Sequence, residues 1–222
     1  MPYKYELHCH TKEVSRCAGT PAAECVKLYK ELGYDGIVIT DHFSPMTFTP
    51  ATVFRPHKNV DFYTRGYKEA LKAAGNDFTV LLGMELRYYA TINDYLVYGI
   101  TEDFLKSNGN IMAMYPKKFY HLAEKNNLIV VQAHPFRDMM IRISPQYLDG
   151  AEVFNGKATK EANESTEKWA DESGIKIRIS GSDFHRPAQL GRGGIITDTP
   201  IKTNDDLLKI LRSCDYELIK NY

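Results

Sequence analysis

The chain has 222 residues, 43% of them apolar and 25% charged, the balance of a soluble globular protein able to bury a core without staples. Its 28 Lys and Arg cancel its 28 Asp and Glu, so no global basic field is available to hold nucleic acid or an anionic membrane. No apolar run approaches the ~20 residues of a membrane span and the first residues carry no apolar signal stretch, so a cytoplasmic location and no membrane partner are expected. The cysteines Cys9, Cys17, Cys25 and Cys214 show no framework spacing and are expected as free thiols.

Short β-type runs alternate with helical stretches along the chain. Residues 3–10 read as a strand. Thr20 and Pro21 suit the start of a helix that runs to about residue 33. Residues 36–40 form a continuous β-branched run, as in a strand buried on both faces. The pattern predicts a helix over 61–75, strands over 78–86 and 95–100, a helix over 116–126 and a buried strand over 128–132. A short strand follows at 151–154, then a helix over 160–173 ended by Gly174, strands at 176–180 and 194–197, and a closing helix over 203–211 with Thr203 and Asp206 as capping box. No repeat or linker interrupts the order, so residues 1–222 are expected to form one domain. The β-α-β-α alternation argues for an α/β fold with parallel strands, and a barrel and an open sheet both fit it.

The histidines and acids fall at strand ends. His8 and His10 end the first strand, and Asp41 and His42 follow the second. Glu85 lies near the end of the third, Asp94 opens a later strand, His134 follows a buried one, and Asp183 and His185 follow residues 176–180. A spread over so many strands favours a closed barrel, whose sites gather at one rim, over an open sheet with its single switch point. His8 and His10 are two residues apart, so on a strand both face one way and can chelate one ion; Glu6 shares their face and Cys9 does not. Asp183 and His185 repeat that spacing. Five imidazoles with two or three carboxylates exceed the needs of one tetrahedral zinc and suit two or three Zn, Mn or Fe ions, with Glu85 as the bridging carboxylate. Such ions clamp a displacement at phosphorus and lower the pKa of bound water to about 7, making hydroxide available.

At these residues the chain resembles the polymerase and histidinol phosphatase (PHP) superfamily. The motifs are Glu6-Leu-His-Cys-His10, Thr40-Asp-His42, His134-Pro135 and Ser182-Asp-Phe-His185, with Gly83-Met-Glu85 and the 151–156 segment also similar. The resemblance covers roughly residues 3–200. It implies a distorted (β/α)7-type barrel, up to three metals and hydrolysis of phosphate esters. By motif, one ion would take His8, His10, Glu85 and Asp183, a second Glu85 and His134, and a third His42 and His185. The chain departs from the pattern twice. Arg16 stands where members often carry Asp or His, and Asp94 where they often carry His; Asp94 can still ligate, whereas Arg16 cannot.

Arg16 is expected to contact a phosphoryl oxygen instead. Arg87 and Arg137 are further phosphate candidates, and Lys157 a weaker one, because guanidinium forks match phosphate geometry. Asp41 is expected beneath the ligands or as general acid. His57 and His121 fit no motif, and the longest connection, residues 43–60, carries none. The substrate expected is a small phosphorylated molecule, a monoester before a diester; nucleic acid is disfavoured because no basic stripe with interleaved aromatics is visible. Two other readings remain. One is an amidohydrolase-type barrel, which commonly bridges its metals with lysine where Glu85 stands. The other is a metal-binding module without catalysis.

Overall fold

The computed structural model of the chain describes residues 2–48 and 56–222, with the side chains of residues 56–58 left aside. In chain order the elements are β1 (Tyr3–Cys9), α1 (Ala22–Glu31), β2 (Gly36–Ile39), β3 (His42–Phe43), α2 (Pro56–Tyr63), α3 (Arg65–Ala74), β4 (Thr79–Leu82), β5 (Met84–Arg87) and β6 (Asp94–Tyr98). They continue as α4 (Glu102–Ser107), α5 (Pro116–Lys125), β7 (Ile129–Gln132), β8 (Gly150–Asn155), α6 (Lys160–Glu172), β9 (Ile177–Gly181), β10 (Gly193–Thr197), α7 (Asn204–Ser213) and β11 (Glu217–Lys220). The strands form two sheets, one ordered β11-β10-β1-β2-β4 and the other β3-β5-β6-β7-β8-β9. No helix among the described residues is long and apolar enough to cross a membrane. The four cysteines are free thiols, as expected.

The α/β class holds, but the all-parallel expectation is corrected. The pairs β1–β2, β2–β4, β3–β5, β7–β8 and β8–β9 are parallel. The pairs β5–β6, β6–β7, β1–β10 and β10–β11 are antiparallel. The connection over residues 88–93 explains the first reversal: it is shorter than the roughly dozen residues a parallel crossover needs.

The strand expected over 78–86 is also divided, because β4 and β5 enter different sheets on either side of Gly83. The ladder carries on across the break: Gly83 N–H donates to Ile39 O (2.8 Å) and Glu85 N–H to Asp41 O (3.1 Å). A side chain at Gly83 would put its Cβ 2.7 Å from Val38 and 2.8 Å from Thr40, so only glycine lets the strands approach here. The Tyr63 hydroxyl sits at the break, 3.0 Å from Asp41 O and 2.8 Å from Gly83 O. The helix expected over 61–75 is likewise two helices, separated at buried Thr64. On α3 the buried face is Gly66, Ala70 and Ala74, a small-residue stripe at helical spacing that lets α1 pack closely.

A second seam joins the sheets beyond β9. Phe184 bridges Cys9 in parallel register, with His10 N–H donating to Phe184 O (2.9 Å) and Phe184 N–H to His8 O (3.0 Å). Below the seams, Leu7, Val38, Leu96, Val131, Ile179 and Ile195 from both sheets share one apolar core, closed by Leu207, Leu208 and Leu211 of α7. The capping box predicted for the closing helix forms, with Thr203 and Asp206 exchanging its hydrogen bonds at α7; the cap expected of Thr20 does not, because Pro21 is the N-cap of α1 and the Thr20 hydroxyl donates to His185 O at 3.3 Å.

At Gly181 an added Cβ would lie 2.4 Å from His8 Cβ and 2.7 Å from Glu152 Oε1. Gly181→Ala should therefore force β9 away from β1 and cost about 1–3 kcal/mol. Urea unfolding of the variant measures this, and an unchanged midpoint would contradict the close approach.

Candidate metal centre

The strand ends bring the eight expected ligands together. His8 Nε2 and His10 Nε2 are 3.0 Å apart. Glu85 lies 3.5 Å from His8 through Oε1 and 3.4 Å from His10 through Oε2. Asp183 Oδ1 lies 3.7 and 3.5 Å from the same two ring nitrogens and 3.2 Å from His185 Nδ1. His134 Nε2 is 3.1 Å from Glu85 Oε1 and 4.0 Å from Asp94 Oδ2. His42 Nδ1 is 2.5 Å from Glu85 Oε2. Three sets of side chains are close enough to hold one ion each: His8, His10 and Glu85; Glu85, Asp94 and His134; and His10, His42 and His185. Glu85 belongs to two of them, the placement of a bridging carboxylate. His134 and Asp183 reach their positions with φ of 30° and 50°, a left-handed backbone that costs a non-glycine residue energy.

The rings are aimed from behind. His8 Nδ1 donates to Glu152 Oε1 at 2.7 Å, and Glu152 Oε2 accepts from His134 N–H at 2.9 Å. His10 Nδ1 lies 3.1 Å from Ser15 Oγ, which itself donates to Asp41 Oδ1 at 2.7 Å. The one hydroxyl proton is spent on Asp41, so His10 Nδ1 carries a proton and Nε2 keeps its lone pair for the centre. Asp41 also accepts from Thr11 N–H (2.7 Å) and Thr11 Oγ1 (2.6 Å). Burial pushes its carboxyl up to about 6 against those hydrogen bonds. Glu6 lies beneath, accepting from His8 N–H (2.8 Å), Ser182 N–H (2.9 Å) and the Tyr29 hydroxyl (2.8 Å). Burial raises it to about 7.

Several features fit a divalent cation. Glu85 Oε2 and His134 Nδ1 are buried with no hydrogen-bond partner among the described residues. Two imidazole Nε2 atoms at 3.0 Å also repel unless a proton or cation lies between them. Burial opposes charge on His8, yet Glu152, Asp183 and Glu85 hold it well above the usual histidine range, while burial and the neighbouring His42 push His10 well below it. Burial would raise Glu85, but His42 and His8 keep it well below the usual carboxylate range.

A cavity of about 620 Å³ opens above this floor. His42, Asp94, Asp183 and His185 line it, with Arg16, Arg87, Arg137 and Lys157 around them and Pro45, Met46 and Phe48 on one wall. Arg137 Nη1 and Lys157 Nζ lie 3.6 and 3.5 Å from Asp183 Oδ2. Arg87, expected on a phosphoryl group, instead grips both oxygens of Asp94, with Nε 2.6 Å from Oδ1 and Nη2 on Oδ2. Asp41 is not among the cavity-lining residues. His121 is on the surface beside Glu124, and the side chain of His57 lies outside the described residues.

Sequence reasoning missed Glu152, Ser15 and Cys17. A carboxylate inside the buried strand β8 was a usable signal for Glu152. Cys17 gave none, yet its Sγ lies 3.1 Å from His185 Nε2. Burial would raise its thiol, but His185 and His42 lower it to about 6.

Strand-end histidines and carboxylates beneath an open cavity are the arrangement of a metal-dependent hydrolase class. The chain belongs to the PHP domain family, which matches it over residues 6–192. No curated protein matches it. Among solved structures it is similar to a two-domain protein from Bacteroides vulgatus, described as containing a predicted PHP-like metal-dependent phosphoesterase. The TM-score is 0.71 at 16% identity, covering 100% of this chain and 65% of that one, so the chain spans about two thirds of that protein. It is also similar to the lesion-specific endonuclease PfuEndoQ of Pyrococcus furiosus (TM-score 0.65, 14% identity, 98% of this chain and 58% of that one). An amidohydrolase from Chromobacterium violaceum, solved with bound sulfate and no metal, is similar at TM-score 0.61 and 16% identity, over 92% of this chain and 95% of that one. Likeness at these identities speaks for the fold.

Metal uptake requires neutral imidazoles, and His8 and His42 are held well above their usual range in the chain alone. Zinc or manganese binding at pH 7 should therefore release protons, and affinity should climb as pH rises through neutrality. Calorimetry in two buffers of different ionisation enthalpy reads this, and uptake with no proton release would contradict it. Glu152→Ala should lower metal affinity about 10–100-fold through the freed His8 ring, measured by competition with a chelator.

Proposed function

We propose that the chain is a metal-dependent phosphoesterase that hydrolyses a small phosphomonoester at a centre of two or three divalent ions, Zn, Mn or Fe. One observation carries the reading: all eight ligand-type residues converge, seven of them in sets that could hold an ion and Asp183 against His8, His10 and His185, under a cavity whose rim is cationic. We read residues 1–222 as one domain and its two sheets as the distorted (β/α)7-type barrel that the resemblance implies. The seams at Gly83 and at Cys9–Phe184 support that closure.

His8, His10, Glu85 and Asp183 would hold one ion, Glu85 and His134 with Asp94 a second, and His42 and His185 a third. When bound, the ions would draw charge from the phosphoryl oxygens and make water acidic enough to attack at neutral pH. Arg137 and Lys157 flank the far oxygen of Asp183, each also 3.5 Å from an imidazole nitrogen, His134 Nε2 and His185 Nδ1 respectively, and would hold the phosphoryl group beside the ligands. Arg16, exposed and lining the same cavity, is read as a further phosphoryl contact. Asp41 acts as a positioning residue, because its oxygens are filled by Thr11 and Ser15 and it aims His10 through Ser15. Pro45, Met46 and Phe48 give the organic part of the ester an apolar wall. The cavity volume lies within the roughly 300–1,000 Å³ of small-molecule sites, which favours a small ester over a duplex.

The test is elemental metal content per chain, followed by a panel of phosphomonoesters, phosphodiesters and DNA. Two or more equivalents of metal with monoesterase activity are expected. Metal at background, cleavage confined to diesters or DNA, or hydrolysis of amides alone would overturn the reading. Arg137→Ala and Lys157→Ala should each lower kcat/KM by about 10²–10³-fold with metal content unchanged.

A further inference from the structure

We infer that Cys17 is a metal ligand, completing with His42 and His185 a site of mixed sulfur and nitrogen donors. The inference rests on the metal reading above and deepens it. The third set contains His10, His42 and His185, but His10 is committed elsewhere. Its Nδ1 is taken by Ser15, and its Nε2 faces His8, Glu85 and Asp183. That leaves two imidazoles, one short of the three protein ligands that even an open catalytic zinc site keeps.

Cys17 stands where the missing ligand is needed. His185 Nδ1 donates to Asp183 O at 2.9 Å, so Nε2 is its free ring nitrogen, and Cys17 Sγ lies 3.1 Å from that atom. The loop that carries Cys17 is held on both sides. Ser15 Oγ accepts from His42 N–H (3.0 Å), Ala18 N–H donates to Ser15 O (2.9 Å), and Gly19 N–H donates to His185 O (2.9 Å). A second observation points to a cation at the same place. Glu85, 1% exposed, turns Oε2 to 2.5 Å from His42 Nδ1 and 3.4 Å from His10 Nε2, an ion-pair contact outside hydrogen-bond geometry that leaves the oxygen open to a cation. Arg16, its neighbour, lines the same cavity and cannot itself ligate. Ligation replaces a thiol proton by the metal–sulfur bond, and that proton leaves to solvent. A thiolate donor favours zinc over manganese or magnesium at this position.

Cobalt(II) reconstitution of the chelator-treated chain tests the site. The wild type should develop the intense near-ultraviolet sulfur-to-cobalt charge-transfer absorption as it takes up cobalt. Cys17→Ser should lose that absorption, and Cys214→Ser, altered at an exposed cysteine outside the centre, should keep it. Cobalt uptake by the wild type without the sulfur band, or a band that survives Cys17→Ser, would overturn the inference and leave the phosphoesterase reading standing. No cobalt uptake by the wild type would overturn both. A second measurement needs no variant: zinc should slow alkylation of Cys17 by iodoacetamide about tenfold or more, while Cys214 reacts at an unchanged rate. Equal slowing of both, or of neither, would also overturn it.

Discussion

Glu85 is a carboxylate buried to 1% exposure, facing His8, His42 and His134. Neither partner in this arrangement could be buried alone. An isolated carboxylate at this depth would cost several kcal/mol, and so would an uncompensated imidazolium. Together they hold each other's charge, provided that four strand ends stay within a few ångströms. The breaks in the strands serve that condition. Gly83 lets β4 pass close to β2 and then delivers Glu85 into a second sheet, while Tyr63 ties down the carbonyls at the break.

A second tier of buried carboxylates fixes the first. Glu152 spans the His8 ring and the His134 backbone, and Asp41 holds Thr11 and Ser15 behind His10. Glu6 joins the His8 backbone to the Ser182 backbone just before Asp183. Each of these acids thereby couples two distant parts of the chain. Glu6 and Ser182 are among the widest-separated partners in the molecule, so the same hydrogen bond that supports the centre also ties β1 to the end of β9.

The ligand set was legible in the sequence because its chemistry is periodic. His8 with His10, and Asp183 with His185, use the two-residue repeat of extended chain, and the other ligands follow or flank apolar runs that a reader can mark as strands. The parallel expectation failed where the chain turns back over residues 88–93, because the alternation elsewhere suggests crossovers and this short connection has no helix to make one. The split at Gly83 was invisible because 78–86 is apolar on both sides of the break, and which sheet each half joins depends on neighbours far away in sequence. Cys17 and Ser15 lie on an irregular loop, where spacing predicts no direction. Their roles exist only once Asp183, His185 and Asp41 have been brought beside them.

The positive charges are distributed unevenly across the floor, and this gives the second ligand set a different character from the first. Arg87 covers both oxygens of Asp94, and Arg137 Nη1 comes within 3.5 Å of His134 Nε2. Any cation held by Glu85, Asp94 and His134 must therefore share its ligands with two guanidinium groups, which stay charged at every working pH. The first set meets Arg137 and Lys157 only through the outer oxygen of Asp183, leaving Oδ1 turned inward to the imidazoles. Burial and the nearby Glu85 raise the Asp94 carboxyl despite the opposing Arg87, which again marks it as the least settled carboxylate of the floor. Under the phosphoesterase reading, an arriving phosphoryl group would offer these guanidinium groups an alternative to the ligands they now cover, Asp94 and His134.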